Sequence, residues 1–135
     1  MYIYILKGYE QVHNSLIAAG EFGYETPSLF FWNMLYFIHT KDEEGVNEWF
    51  DKASNVLNHR SLDYKIALML QEYYKQPLSD KTLELALYVF ENVQAIEDTC
   101  IILLYLYLVI DLYEMRNDDK NIIRYLKKKN AILRS

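Results

Sequence analysis

TPSLFFWNMLYFIHTKDEEGVNEWFDKASNVL, residues 26–57, is the stretch that decides the fold. Thr26 offers a side-chain oxygen to the free N–H groups of a helix start, and Pro27 suits the first helical position, where its missing donor costs nothing. Leu29, Phe30, Phe31, Met34, Leu35, Phe37 and Ile38 follow on most sides of the helix, so it must be largely buried. Thr40 and Glu43 then match the Thr-x-x-Glu capping box, which starts a second helix of the stretch. Asp42, Glu43 and Glu44 complement the positive end of its dipole. Val46, Trp49, Phe50, Ala53, Val56 and Leu57 recur at i, i+3, i+4 and i+7, one apolar face of an amphipathic helix. The unit is a helical hairpin, with a broadly apolar first helix and an amphipathic second.

The same punctuation continues outward. Before it, Ile5, Tyr9, Val12, Leu16 and Ala19 predict a helix over 3–19, stopped by Gly20 and Gly23. After it, Ser61 caps a helix carrying Leu62, Ile66, Leu70, Tyr73 and Tyr74, and Pro77 closes that region. Ser79 caps the next, with Leu83, Ala86, Leu87, Phe90, Val93 and Ile96 on one face. Residues 97–115 form an almost wholly apolar helix. Asp118 or Asp119 starts a last one, whose apolar side is Ile122, Ile123, Leu126 and Leu133. The expected fold is therefore all-α, about seven helices arranged as three stacked antiparallel hairpins. A closed bundle of four or five helices is the alternative.

Composition agrees. The 135 residues are 52% hydrophobic and 24% charged, a balance that supports a packed core, and they suffice for one domain over 1–135. Only 4 Gly and 2 Pro argue against a many-turned β fold. Cys100 is the single cysteine, so no internal disulfide is possible, which suits a reducing compartment. The opening MYIYILKGYE lacks the features of a signal peptide, and the apolar run from Cys100 to Ile110 is too short to span a bilayer. A cytoplasmic protein with no membrane span is expected. The formal charge of −5 is uneven. Residues 116–135 hold Arg116, Lys120, Arg124, Lys127, Lys128, Lys129 and Arg134 against Asp118 and Asp119, a net +5 that leaves −10 on residues 1–115. A basic C-terminal helix packs on an acidic body.

The hairpin recurs faintly. Val46, Phe50 and Ala53 correspond to Ala86, Phe90 and Val93, while Phe31, Leu35 and Ile38 correspond to Ile66, Leu70 and Tyr73. Ile102, Leu106 and Val109 suggest a third copy. Val46-x-x-x-Phe50-x-x-Ala53 and Ala86-x-x-x-Phe90-x-x-Val93 approximate a small-xxx-aromatic-xx-small pattern, and over residues 28–115 the chain resembles the tetratricopeptide-like superfamily. Its Tyr-rich, Ile/Lys-rich character is similar to that of the helical-repeat C-terminal domains of Rgg/GadR/MutR-type regulators from low-GC bacteria. That resemblance implies a domain that dimerises and senses a short peptide.

Catalytic and metal chemistry find little purchase. Among His13, His39 and His59 there is no His-x-x-x-His pair, and the lone Glu10-x-x-His13 pair is half of a di-iron motif that needs two pairs and two further glutamates. Cys100 stands beside Glu97 and Asp98, which raise rather than lower a thiol pKa, so packing is its reading. Asp42-Glu43-Glu44 with Glu48 reads as a helix start before it reads as a metal site. No Gly-rich phosphate loop is present. The expectation is a non-enzyme with no cofactor and no metal.

The 13 Tyr residues are the best functional hint, since Tyr is enriched at binding hot spots. They line either a recognition groove or the seams between helices. If stacked hairpins present the first helix of each pair to a groove, Asn33, Tyr36, Lys65, Met69, Glu72 and Tyr107 are the candidate partner-binding residues. The expected function is a protein- or peptide-binding helical module, regulatory and dimeric, its dimer resting on the apolar helix at 97–115. Burial of Ile101 to Ile110 against the last helix would weaken that dimer. The alternative is an acidic immunity- or antitoxin-type inhibitor of a basic toxin or bacteriocin. Nucleic acid is disfavoured, because the acidic body repels phosphate beyond the basic helix.

Overall fold

The structure, a computed structural model, describes residues 27–94 and 99–134. They form six α-helices and no strand: α1 Pro27–His39, α2 Glu43–Val56, α3 Leu62–Lys75, α4 Asp80–Val93, α5 Thr99–Met115 and α6 Asp119–Arg134. The expected helix over 3–19, the pair Glu10 and His13, Gly20, Gly23, the Thr26 cap, Ile96, Glu97 and Asp98 lie outside the described residues, and so do the side chains of Cys100 and Ile101. The chain divides into two compact units, one ending at Tyr74 and the other beginning at Lys75.

In the first unit, α1 packs on α2. The turn between them follows from one left-handed residue, Lys41, at φ 59. Its N–H donates to the Ile38 carbonyl at 3.2 Å, and the Asp42 N–H donates to the Phe37 carbonyl at 2.9 Å. This pair of bonds is a Schellman closure, which satisfies carbonyls that the end of α1 would otherwise leave orphaned. The next residue, Asp42, is extended (φ −99, ψ 92) and accepts the Gly45 N–H on its carboxylate at 3.1 Å. The cap of α2 is therefore Asp42, not Thr40, and the expected Thr40–Glu43 box does not form. Thr40 instead follows the last residue of α1, its hydroxyl donating to the Phe37 carbonyl at 3.4 Å. The physical reason is order along the chain: the left-handed residue must come before the next helix can be capped.

The α1–α2 seam is close because α2 brings small residues to it. Gly45, Val46 and Ala53 are buried, and a Cβ on Gly45 would stand 2.5 Å from Cγ and Cδ1 of Phe37. Phe30 and Trp49 meet with ring centroids 6.4 Å apart. Val56, expected on the apolar face, is 62% exposed. Leu29, Phe30, Met34 and Leu35 form the buried side of α1, each worth about 1.5–3 kcal/mol of burial. At α3 the expected cap holds: Ser61 Oγ accepts the Tyr64 N–H at 3.1 Å. Tyr64 meets Phe50 at 6.2 Å and stacks on His59 at 4.2 Å.

In the second unit α5 packs on both α4 and α6. Its Leu106, Val109 and Leu112 are fully buried, which an almost wholly apolar helix requires. Ala86, Val89, Phe90 and Val93 supply the buried face of α4. Ser79 stands at the N-cap of α4 but makes no side-chain cap bond. Buried Thr82 instead reaches back, donating to the Gln76 carbonyl at 2.7 Å. The turn from α5 to α6 repeats that of α1 to α2. Asn117 is left-handed at φ 53; its N–H donates to Glu114 O at 3.0 Å, and the Asp118 N–H donates to Tyr113 O at 3.1 Å. Asp118 then caps α6, accepting the Asn121 N–H at 3.3 Å and its side-chain amide at 2.7 Å. Arg116 ties the loop before α4 to the end of α5. Its guanidinium donates to Pro77 O at 2.8 Å, Ser79 O at 2.7 Å and Leu112 O at 3.0 Å.

Candidate partner-binding surface

Two of the six residues expected to face a groove are core residues instead. Asn33 is 0% and Met69 is 1% exposed. Asn33 occupies an apolar setting by turning its amide onto its own helix, donating to Leu29 O at 2.7 Å, while its Oδ1 has no hydrogen-bond partner. Met69 is buried because the inward side of α3 is broad: Ile66, Ala67, Met69 and Leu70 are all covered. Lys65 and Glu72 flank it half-buried, so this side of α3 is not an open binding face. Tyr36 is half-buried on α1, edge-on to Phe37 at 5.2 Å. Tyr107, in the second unit, is half-buried with the Lys129 ammonium 5.4 Å from its ring centre.

Among the described residues, most tyrosines are buried or half-buried rather than exposed. Tyr105, Tyr113 and Tyr125 are buried; Tyr36, Tyr64, Tyr73, Tyr74 and Tyr107 are half-buried; Tyr88 is exposed. The densest group joins α4, α5 and α6. Tyr113 and Tyr125 stack at 5.4 Å, and Phe90 meets Tyr125 edge-on at 6.1 Å. Burial pushes the Tyr113 hydroxyl above its ordinary 10.0, and Tyr125 raises it further by charge and by hydrogen bonding.

This cluster determines how the basic helix is oriented. The residue of α6 that is buried is Tyr125; Asn121, Ile122, Lys128, Lys129 and Ile132 flank it half-buried. Lys128 Nζ lies 5.0 Å and Arg124 Cζ 5.8 Å from the Tyr125 ring centre. Such cation–π contacts let lysine stems cover aromatic surface while the charge stays near water. The expected packing through Ile123, Leu126 and Leu133 is therefore corrected: they are 54%, 40% and 57% exposed. Together with Asn130 they run along the outer face at i, i+3, i+7 and i+10. Their spacing was legible in the sequence. Their exposure was not, because the Tyr125 face is also amphipathic.

The apolar helix α5 packs on α4 and α6 of its own unit, with Leu106, Val109 and Leu112 buried and Ile102, Leu103 and Leu104 half-buried, which weakens the case for a dimer built on it. Asp42, Glu43 and Glu44 are exposed, and Asp42 is committed to the cap of α2. Among the described residues no three His, Cys, Asp or Glu side chains come together as a metal site. No helix among them is long and apolar enough to cross a membrane. No family model, no curated protein and no solved structure matches the chain.

Proposed function

We propose that this chain is a non-catalytic helical module that binds a protein or peptide, acting as a regulatory part in the cytoplasm. The observation that carries the reading is the outer face of α6, where Ile123, Leu126 and Leu133 stand exposed on one side of a helix. Apolar side chains gathered on one exposed helical face mark interaction surfaces, whereas singly scattered ones do not. The short hydrogen-bonded turns from α1 to α2 and from α5 to α6 support the reading, because a preorganised surface loses little entropy on binding. The resemblance to the peptide-sensing helical domains of Rgg/GadR/MutR-type regulators points the same way and brings dimerisation with it.

A second reading, an acidic inhibitor of a basic toxin, is favoured by one observation. Glu43, Glu44, Glu48 and Asp51 are all exposed on α2, with Lys52 bridged to Glu48 at 3.5 Å. A carboxylate surface of this kind steers a cationic partner.

The test is selection from a displayed random peptide library, followed by calorimetric titration of the selected peptides into the full chain. Saturable one-to-one binding supports the module, and a chain that enriches no saturable ligand refutes it. Peptides rich in Lys and Arg that compete at α2 would favour the inhibitor reading. Light scattering over a concentration series decides the dimer.

A further inference from the structure

We propose that the outer face of α6 docks an amphipathic helix of another protein, one whose apolar stripe is flanked by carboxylates. The proposal deepens the partner-binding reading and rests on it. Ile123, Leu126, Asn130 and Leu133 follow the three–four spacing with which one helix presents a seam to another. Three of the four are apolar and exposed, while the opposite side of α6 is already committed through Tyr125. The seam runs from Ile123 to Leu133, about 15 Å of helix, which matches roughly three turns of a partner.

Charge selects the partner. Exposed Lys120, Arg124, Lys127 and Arg134 line the edge of the seam. Pairing α6 with α6 of a second copy would bring these cations together, and like charges at the flanks of a helix pair oppose association. A helix with Glu or Asp at its flanks meets the same edge favourably. A membrane surface would also attract these cations. However, Asn130 and exposed Asp119 fall within the apolar stripe itself, where a lipid interior offers them no hydrogen-bonding group. In a helix pair, by contrast, a single polar residue within the seam fixes register.

The experiment titrates the full chain into two labelled synthetic helices, each with Leu at its seam positions, one with Glu and the other with Lys at the flanks. Anisotropy is read at low and high salt, and vesicles of phosphatidylcholine with phosphatidylserine are run in parallel. The Glu helix is expected to bind at least about tenfold more tightly than the Lys helix, with the gap narrowing at high salt. Leu126→Asp weakens it about tenfold or more, since a leucine lost from a buried seam is worth that much. Lys127→Glu combined with Arg134→Glu reverses the preference between the two helices. The altered side chains are solvent-exposed, and circular dichroism of each variant checks that the helices are kept. Equal binding of the two helices, no saturable binding of the Glu helix, or binding indifferent to Leu126→Asp overturns the proposal, and vesicle binding without helix binding overturns it in favour of lipid. If peptides selected from the library bind the Leu126→Asp variant unchanged, the binding module stands and only its placement on α6 falls.

Discussion

Gly45→Ala sets two physical effects of opposite sign against each other. Near the start of α2 the substitution should stabilise the helix by up to about 1 kcal/mol, because alanine is the better helix former. The structure reverses that sign. The new Cβ would lie 2.5 Å from Cγ and Cδ1 and 2.9 Å from Cδ2 of Phe37, where carbon atoms prefer roughly 3.5–4 Å. These atoms are the root and sides of a ring, so no small rotation clears them, and α1 and α2 must separate. Overpacking of this kind costs about 1–3 kcal/mol, which offsets the helix gain and leaves a net loss of up to about 2 kcal/mol. Phe37→Ala removes the obstruction, and on that background Gly45→Ala should stabilise by up to about 1 kcal/mol. The double-mutant cycle thus carries a coupling of about 2 kcal/mol. Trp32 and Trp49, the chain's two tryptophans, both lie in α1 and α2, so their fluorescence in a urea titration reports this hairpin. The midpoint moves while the slope stays constant if only stability has changed. Stabilisation by Gly45→Ala in the otherwise unaltered chain would falsify the close approach of Phe37 to α2.

Lys41→Gly is expected to stabilise by about 1 kcal/mol, since a lysine side chain disfavours the left-handed region that φ 59 requires, whereas Asn117→Gly should gain less because asparagine tolerates it; urea midpoints compare the two. Arg116→Ala should destabilise the second unit by about 1–3 kcal/mol, as three charge-assisted hydrogen bonds to half-buried carbonyls are lost, and Arg116→Lys should recover only part of that. Amide hydrogen exchange at residues 76–80, read by mass spectrometry, localises the effect. Tyr113 gives a pH dependence. Its hydroxyl is held above 10.0 in the folded chain, so its stabilising contribution is complete below pH 10 and is lost as pH rises through the higher folded value. Tyr113→Phe should flatten the fall in stability above pH 10, measured by urea titration at several pH values, and an unchanged slope would refute the assignment.

Much of the helical layout was legible locally. Pro27 and the caps Ser61 and Ser79 mark starts that need only a few neighbouring residues to be read. The Thr40–Glu43 pattern misled because it competes with a better arrangement two residues on, and the choice depends on where α1 can close. The groove was less legible. Asn33 and Met69 carry polar or flexible side chains that suit a surface, yet both are buried, because α1 and α3 are covered over a wider arc than their strongest apolar stripes suggest.

The basic helix marks the boundary between the two kinds of information. Sequence alone determined that residues 119–134 form an amphipathic, cationic helix, since backbone propensity, the Asp118 cap and the spacing of apolar residues are properties of the segment itself. It could not determine which side faces inward. Ile123, Leu126 and Leu133 are the more hydrophobic choice, but the surface offered by α4 and α5 is aromatic, and Tyr125 fits between Phe90 and Tyr113 while Lys128 covers its ring. That preference depends on the shape of a pocket assembled from residues 12 to 35 positions away in the chain. Only tertiary packing brings them together, and in doing so it leaves the apolar stripe outside.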